Sequence, residues 1–309
     1  MQSKRQLHAH SALHGDMAQH QSVQPGQPDG NEPSTNSLRA RAHAYFSSHT
    51  LRYFAGAIAV ALCAAVMVMP SAYVVEGPGP TQDVLGKTGG KSVIAITGAD
   101  TQPTSGKLLL TTVNASGVPG YPVTNAQAMW AWLDPQQTVM PREAVVPVGQ
   151  TSEEYANKSA QQMSASENAA AKAALAFLAQ QGMDVEDVKV SMHVDDIGGP
   201  SAGMMYALGV IDKLTEADET GGKIIAGTGT MNAKGKVGAI GGIRLKMIGA
   251  KRDGAQWFIA PESNCDEVVG HVPDGLHVVK VSTLDEAYQA LVAIGEGKGG
   301  TLSGCTVKQ

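Results

Sequence analysis

Charge is scarce in this chain. Lys, Arg, Asp and Glu make up 17% of the 309 residues, and the formal net charge is −5. There is no basic run and no interleaving of basic with aromatic side chains, which excludes the electrostatic footprint of a nucleic-acid binder. Cysteine is nearly absent, with three residues and no Cys-x-x-Cys or Cys/His cluster at zinc spacing, so neither a metal nor any other cofactor is expected. Phosphate loops are missing too. Gly86-Lys87-Thr88 and Gly90-Lys91-Ser92 look similar, but the glycine required five residues earlier is Thr81 in one and Leu85 in the other. That removes an ATPase module. Long apolar runs are limited to a single example. Glycine, by contrast, is abundant at 36 residues, which implies turns and tight backbone packing rather than charged surface helices.

The chain falls into four stretches: 1–50, 51–75, 76–150 and 151–309. Residues 1–37 are rich in Gln, His, Ser, Pro and Gly, a composition that cannot bury a core, so a disordered tail is expected over 1–50. Its histidines (His8, His10, His14, His20) read as solvated. The apolar run from Tyr53 to Val75 is long enough to cross a bilayer as a helix. Arg39, Arg41 and Arg52 precede it and no basic residue follows before Lys87, so the positive-inside rule puts the N-terminus in the cytoplasm and the rest outside the cell membrane. A signal peptide cleaved near Pro70-Ser71-Ala72 is the alternative. Under export, Cys265 and Cys305 are candidates for a disulfide that ties down the C-terminal tail.

Strands are expected at Ser92–Ile96, Lys107–Val113, Val188–Val194, Gln256–Ile259 and Leu276–Val281, with a hairpin over 222–238 turning at Gly235. Helices are expected at Asn125–Leu133, after Ser164, after Ser201, at Ile243–Asp253 and after Thr283. Thr151-x-x-Glu154 and Ser164-x-x-Glu167 both have capping-box spacing. The helix after Ser164 is expected to pack on the sheet that holds Val188–Val194.

Two residues carry the candidate chemistry. Ser201 lies in Gly199-Pro200-Ser201-Ala202-Gly203, between a strand and a helix, where unpaired helix N–H groups point at whatever approaches. It reads as a nucleophile beside an oxyanion site, or as a plain helix cap. Lys246 stands at the edge of the apolar face formed by Ile243, Met247 and Ala250. There it either snorkels or is buried, and burial would ease loss of its proton.

Gly199-Pro200-Ser201-Ala202-Gly203, Gly227-Thr228-Gly229 and Gly238-Ala239-Ile240-Gly241-Gly242-Ile243-x-x-Lys246 together resemble the proteolytic domain of Lon-type proteases, over about residues 164–294. The apolar run followed by Glu76-Gly77-Pro78-Gly79-Pro80-Thr81 is similar to the membrane-anchored, ATP-independent Lon-like proteases of Gram-positive bacteria that contain a PDZ domain. The resemblance implies an α+β fold: one transmembrane helix, then a Lon-type proteolytic domain like ribosomal protein S5 domain 2, with mixed sheets packed against helices. It implies a Ser–Lys dyad peptidase with Ser201 as nucleophile, Lys246 as general base and Thr228 orienting the lysine, acting on proteins or peptides, and a homo-oligomer, often a hexameric ring. Two departures stand out. Only Gly182–Asp187 lies where the PDZ module belongs. The acidic residue frequent three before the nucleophile is here Gly198, leaving Asp195 or Asp196 either to support the site or to form a turn. Gly199-x-Ser201-x-Gly203 also fits the nucleophile elbow of α/β-hydrolase esterases, with Asp253 or Asp266 and then His271 or His277 downstream, but no His-Gly-Gly-Gly segment accompanies it. A non-catalytic, membrane-tethered binding or assembly protein on the same fold is the third reading.

Overall fold

The computed structural model describes residues 35–147, 149–194 and 199–306. The four N-terminal histidines and Asp195, Asp196 and Gly198 lie outside the described residues. The chain divides after Val60 into two units. The first contains helix α1 (Thr35–Ser48) and the start of α2 (Leu51–Val68). The expected disorder over 1–50 is therefore corrected for residues 35–48. Leu38, Arg39, Ala40, Arg41, Ala42 and Ala44 are strong helix formers, and neither Gly nor Pro interrupts them. Helix α2 is the expected apolar helix, with none of its side chains buried. It ends at Val68 rather than Val75, because Pro70 bridges to Thr124 and the next strand starts at Tyr73.

The second unit holds, in order, β1 (Tyr73–Asp83), β2 (Lys87–Thr88), β3 (Lys91–Ser92), β4 (Ile94–Thr97), β5 (Lys107–Ser116), α3 (Asn125–Ala131), β6 (Thr138–Pro141), α4 (Ser152–Gln180) and β7 (Lys189–Met192). There follow α5 (Gly203–Leu214), β8 (Ile224–Gly227), β9 (Thr230–Met231), β10 (Val237–Gly238), α6 (Ile243–Arg252), β11 (Trp257–Pro261), α7 (Cys265–Val268), β12 (His277–Val281) and α8 (Leu284–Gly295). Six strands form one mixed sheet in the order β12-β11-β8-β5-β1-β6. The first four run parallel, while β1 and β6 join antiparallel.

Strand alternation splits the core in two. Leu108, Leu110, Ile225, Ile259 and Val279 face α4, α5 and α8. Leu109, Ala226, Phe258 and Ala260 face α6 and α7. The sheet also erases the boundary expected at residue 150: β5 and β8 pair directly, Leu108 opposite Ile225, so the strands of 76–150 and the later strands share one body.

Three local expectations change. Thr151 caps α4 through a complete capping box, and the helix runs through Ser164 without a break, so the second box spacing marks no helix start. Helix α4 packs chiefly on α5, while β7 pairs with β4 in a small sheet of its own. The hairpin is only β9–β10, Met231 opposite Val237. Strand β8 leaves it to lie between β5 and β11, where its apolar residues are covered on both sides. Cys265 and Cys305 are disulfide-bonded, with Cα atoms 5.0 Å apart, which fastens the C-terminal segment to α7.

Candidate active site

Glycines bring the site together. A Cβ at Gly227 would stand 2.6 Å from Met205 Sδ, and one at Gly229 would stand 2.9 Å from Val237 Cγ1. Gly229 is also 3.2 Å from Met204 Cβ by the same measure, so only bare backbone lets the end of β8 and the residues after it lie this close to α5 and β10. The Gly229 N–H donates to Ser201 O at 2.8 Å and the Met204 N–H to Gly229 O at 3.0 Å. Ser201 itself sits in a 3₁₀ turn, Pro200–Ala202, that runs directly into α5. Ser166 Oγ on α4 donates to Pro200 O at 2.9 Å. The N-cap of the turn is Gly199 and that of α5 is Ala202, so Ser201 stands at neither capping position.

Lys246 arrives from the other side of the sheet. Helix α6 buries Ile243, Met247 and Ala250 against Ala226 and Phe258, and this carries Lys246 inward to 2% exposure. Helices α5 and α6 cover opposite faces, and they approach each other where β8 ends, at Thr228. There Lys246 Nζ stands 2.8 Å from Ser201 Oγ and 3.1 Å from Thr228 Oγ1. Thr228 is fully buried and donates its own hydroxyl to Ser201 O at 3.1 Å. The threonine thus ties lysine and serine to one point.

Burial pushes the Lys246 amine down to about 8, opposed in part by the Glu76 carboxylate. A charged ammonium loses water's solvation here and regains little. Glu76, on β1, is held above the usual carboxylate range by its own burial, with Lys246 pulling the other way. Its Oε2 lies 3.6 Å from where a Cβ on Gly242 would be. Gly242 is the left-handed N-cap of α6, and its carbonyl accepts the Lys246 N–H at 3.1 Å. The Glu76 carboxylate therefore lies at the positive end of the helix that carries the lysine. Sequence reasoning missed Glu76 as part of the site, using it only within the Glu76–Thr81 segment of the family likeness. The available signal was an acid placed directly after the apolar pair Val74-Val75.

The remaining candidates separate clearly. Gly199 and Pro200 belong to the Ser201 turn, and Gly199 opens onto a cavity of about 260 Å³ shared with Tyr155, Ser159 and Gln162 of α4. Asp196 is outside the described residues. Cys265 and Cys305 bind each other. Asp253 is held by Arg252 and by Thr81 Oγ1 at 2.9 Å, and His277 lies against Trp257 on β12. None of these contacts involves Ser201, whose side-chain partner is Lys246. Among the described residues no three His, Cys, Asp or Glu side chains gather where they would hold a metal ion.

The model of the Lon protease (S16) C-terminal proteolytic domain matches residues 124–293. The chain belongs to this family. A Lon protease of Clostridioides difficile is 38% identical over 102 residues, 32% of this chain and 13% of that protein. Lon protease 2 of Herpetosiphon aurantiacus is 34% identical over 123 residues, covering 38% and 15% of the two chains. A Lon protease of Mycoplasma genitalium is 34% identical over 113 residues, covering 34% and 14%. The likeness thus spans a small fraction of each relative. The family match begins at α3, whereas the Lon-domain sheet of this chain also takes in β1 and β5, and with β1 the Glu76 carboxylate.

Proposed function

We propose that this protein is a membrane-anchored, ATP-independent serine endopeptidase in which Ser201 is the nucleophile and Lys246 the general base. The observation that carries the reading is the 2.8 Å approach of a buried lysine amine to the hydroxyl of Ser201. In the neutral form the amine accepts the hydroxyl proton while Oγ attacks the peptide carbonyl. The ammonium so formed gives its proton to the leaving amine as the C–N bond breaks. Water then attacks the acyl-serine ester, passing a proton to Lys246, and the ester bond breaks to restore the hydroxyl. The backbone N–H groups of Ser201 and Ala202, after Pro200, which has none, stabilise the oxyanion, a contribution of roughly 3 kcal/mol per donor. Thr228 orients the lysine, and the cavity beside Gly199 receives part of the substrate chain.

Location follows from α2. Its exposed apolar surface, with Arg39 and Arg41 before it and Arg52 in its first turn, supports a single cytoplasm-to-outside span with the catalytic domain beyond the membrane. The Cys265–Cys305 bond fits an oxidising compartment. Failure of both glycine-lysine motifs supports chemistry independent of ATP. With six residues, 182–187, at the position of a PDZ module, substrates meet the Lon domain directly. Assembly into a homo-oligomeric ring belongs to the same proposal.

The test is cleavage of an unfolded protein by the full chain and by its Ser201→Ala and Lys246→Ala variants. Each substitution is expected to lower turnover by on the order of 10³-fold or more while thermal unfolding stays cooperative. Full activity in a folded Lys246→Ala protein would refute the dyad.

A further inference from the structure

Helix α3 is pinned to the end of α2. Asn125 Nδ2 donates to Val66 O at 2.9 Å, and the Asn125 N–H donates to Met69 O at 3.0 Å. The Ser71 N–H donates to Val123 O at 2.7 Å, and Pro70 bridges to Thr124. The Tyr73 and Trp132 rings meet with centroids 5.7 Å apart. From this fixed point α3 and the residue pair after it present Met129, Trp130, Trp132 and Leu133 to solvent, Trp130 at 72% and Leu133 at 78% exposure. No charge falls between Asn125 and Leu133. A cavity of about 330 Å³, lined mainly by apolar groups, separates Met129 and Trp132 from Val66 and Met67. Exposed Trp, Leu and Met side by side are unusual on a surface that meets only water.

We propose that α3 is a membrane-seating element whose Trp130, Trp132 and Leu133 enter the interface of the bilayer that α2 crosses. The inference rests on the membrane-anchor reading and adds a second contact to it. The 18 residues of α2 span about 27 Å as a helix, close to the ~30 Å of a bilayer's apolar core. Val68 therefore falls at the boundary between acyl chains and headgroups. The hydrogen bonds to Asn125 hold α3 at that same depth. Tryptophan prefers this level, where its ring is apolar and its N–H finds a polar partner. The seat also reaches the dyad. Arg244 on α6, two residues before Lys246, donates to Gln137 O at 3.0 Å and to Thr138 Oγ1 at 2.9 Å, directly beyond α3. The Ser201–Lys246 pair is thus linked to the membrane through short, hydrogen-bonded connections, which favours substrates presented at the bilayer surface.

The test uses the full chain carrying Trp257→Phe, so that Trp130 and Trp132 are the only fluorophores of their kind; phenylalanine keeps a ring against His277. The protein is reconstituted into phosphatidylcholine vesicles brominated either near the headgroup end of the acyl chains or near the methyl end, and flotation is measured in parallel. Flotation together with shallow bromines quenching at least about twice as strongly as deep ones is the expected result. Flotation with no quenching by either lipid, but full quenching by aqueous iodide, overturns the seat and leaves the anchor standing. Flotation with shielding from both, accompanied by a Trp130-dependent cross-linked dimer, overturns it in favour of a second copy on this face. Failure to float overturns the membrane anchor itself, and the seat with it.

Discussion

In the proposed mechanism Lys246 sets the pH behaviour of the site. Its amine must be neutral to act as a base, and burial has brought it down to about 8. Peptidase activity is therefore expected to rise with pH through that value and to fall on the acidic side as the ammonium forms, which a kcat/KM profile on an unfolded substrate will show. The Glu76 carboxylate favours the ammonium. Glu76→Gln removes that charge, so the acidic limb is expected to move to lower pH, with the alkaline plateau little changed. A Glu76 with a merely structural role would leave the limb in place. These two residues differ in how far sequence revealed them. The spacing of Ile243, Lys246, Met247 and Ala250 already put the lysine on an inward edge. Nothing local in Glu76-Gly77-Pro78 announced its partner, because β1 meets α6 only through the fold.

Helix α5 carries an acid with no use in the proposed chemistry. Asp212 is 2% exposed, and neither of its oxygens meets a donor among the described residues. Its buried neighbour Glu219 offers another carboxylate, held by Thr215 Oγ1 and, at 3.4 Å, by the Tyr288 hydroxyl. Burial first, and the charge of Glu219 second, push Asp212 up to about 8. A proton retained on Asp212 supplies the missing donor between the two. The folded pKa lies above the unfolded value of about 3.9, so the fold holds this proton more tightly than the unfolded chain does. The associated stability is fully present below about pH 4 and is lost as pH rises through about 8. Asp212→Asn is expected to flatten the pH dependence of the melting temperature across that window, as thermal denaturation at a series of pH values will report. Elsewhere among the elements, periodicity located the helices well. It misjudged starts and partners, as with α4, whose cap lies at Thr151, and with β8, drawn out of the expected hairpin by pairing on both sides.

At the scale of the whole molecule, the Cys265–Cys305 bond closes a loop between residues 40 positions apart and holds the C-terminal segment against α7. Cys265→Ser with Cys305→Ser is expected to lower unfolding stability by about 2–4 kcal/mol, read from urea midpoints with and without reductant. A double variant whose midpoint equals that of the oxidised parent would show that the tail contributes nothing. The sequence alone determined the features that depend on near neighbours: an apolar run long enough for a bilayer, a serine among small residues before a helix, and a lysine at helical spacing from three apolar side chains. Tertiary structure decided what the lysine meets. The approach of Nζ to Ser201 Oγ depends on α5 and α6 lying on opposite faces of a sheet, and the Glu76 charge on β1 joining that sheet through β5. Those pairings link residues as distant as Lys107 and Ile224. No local pattern of side chains encodes them; they arise only when the two halves of the chain bury their strands together.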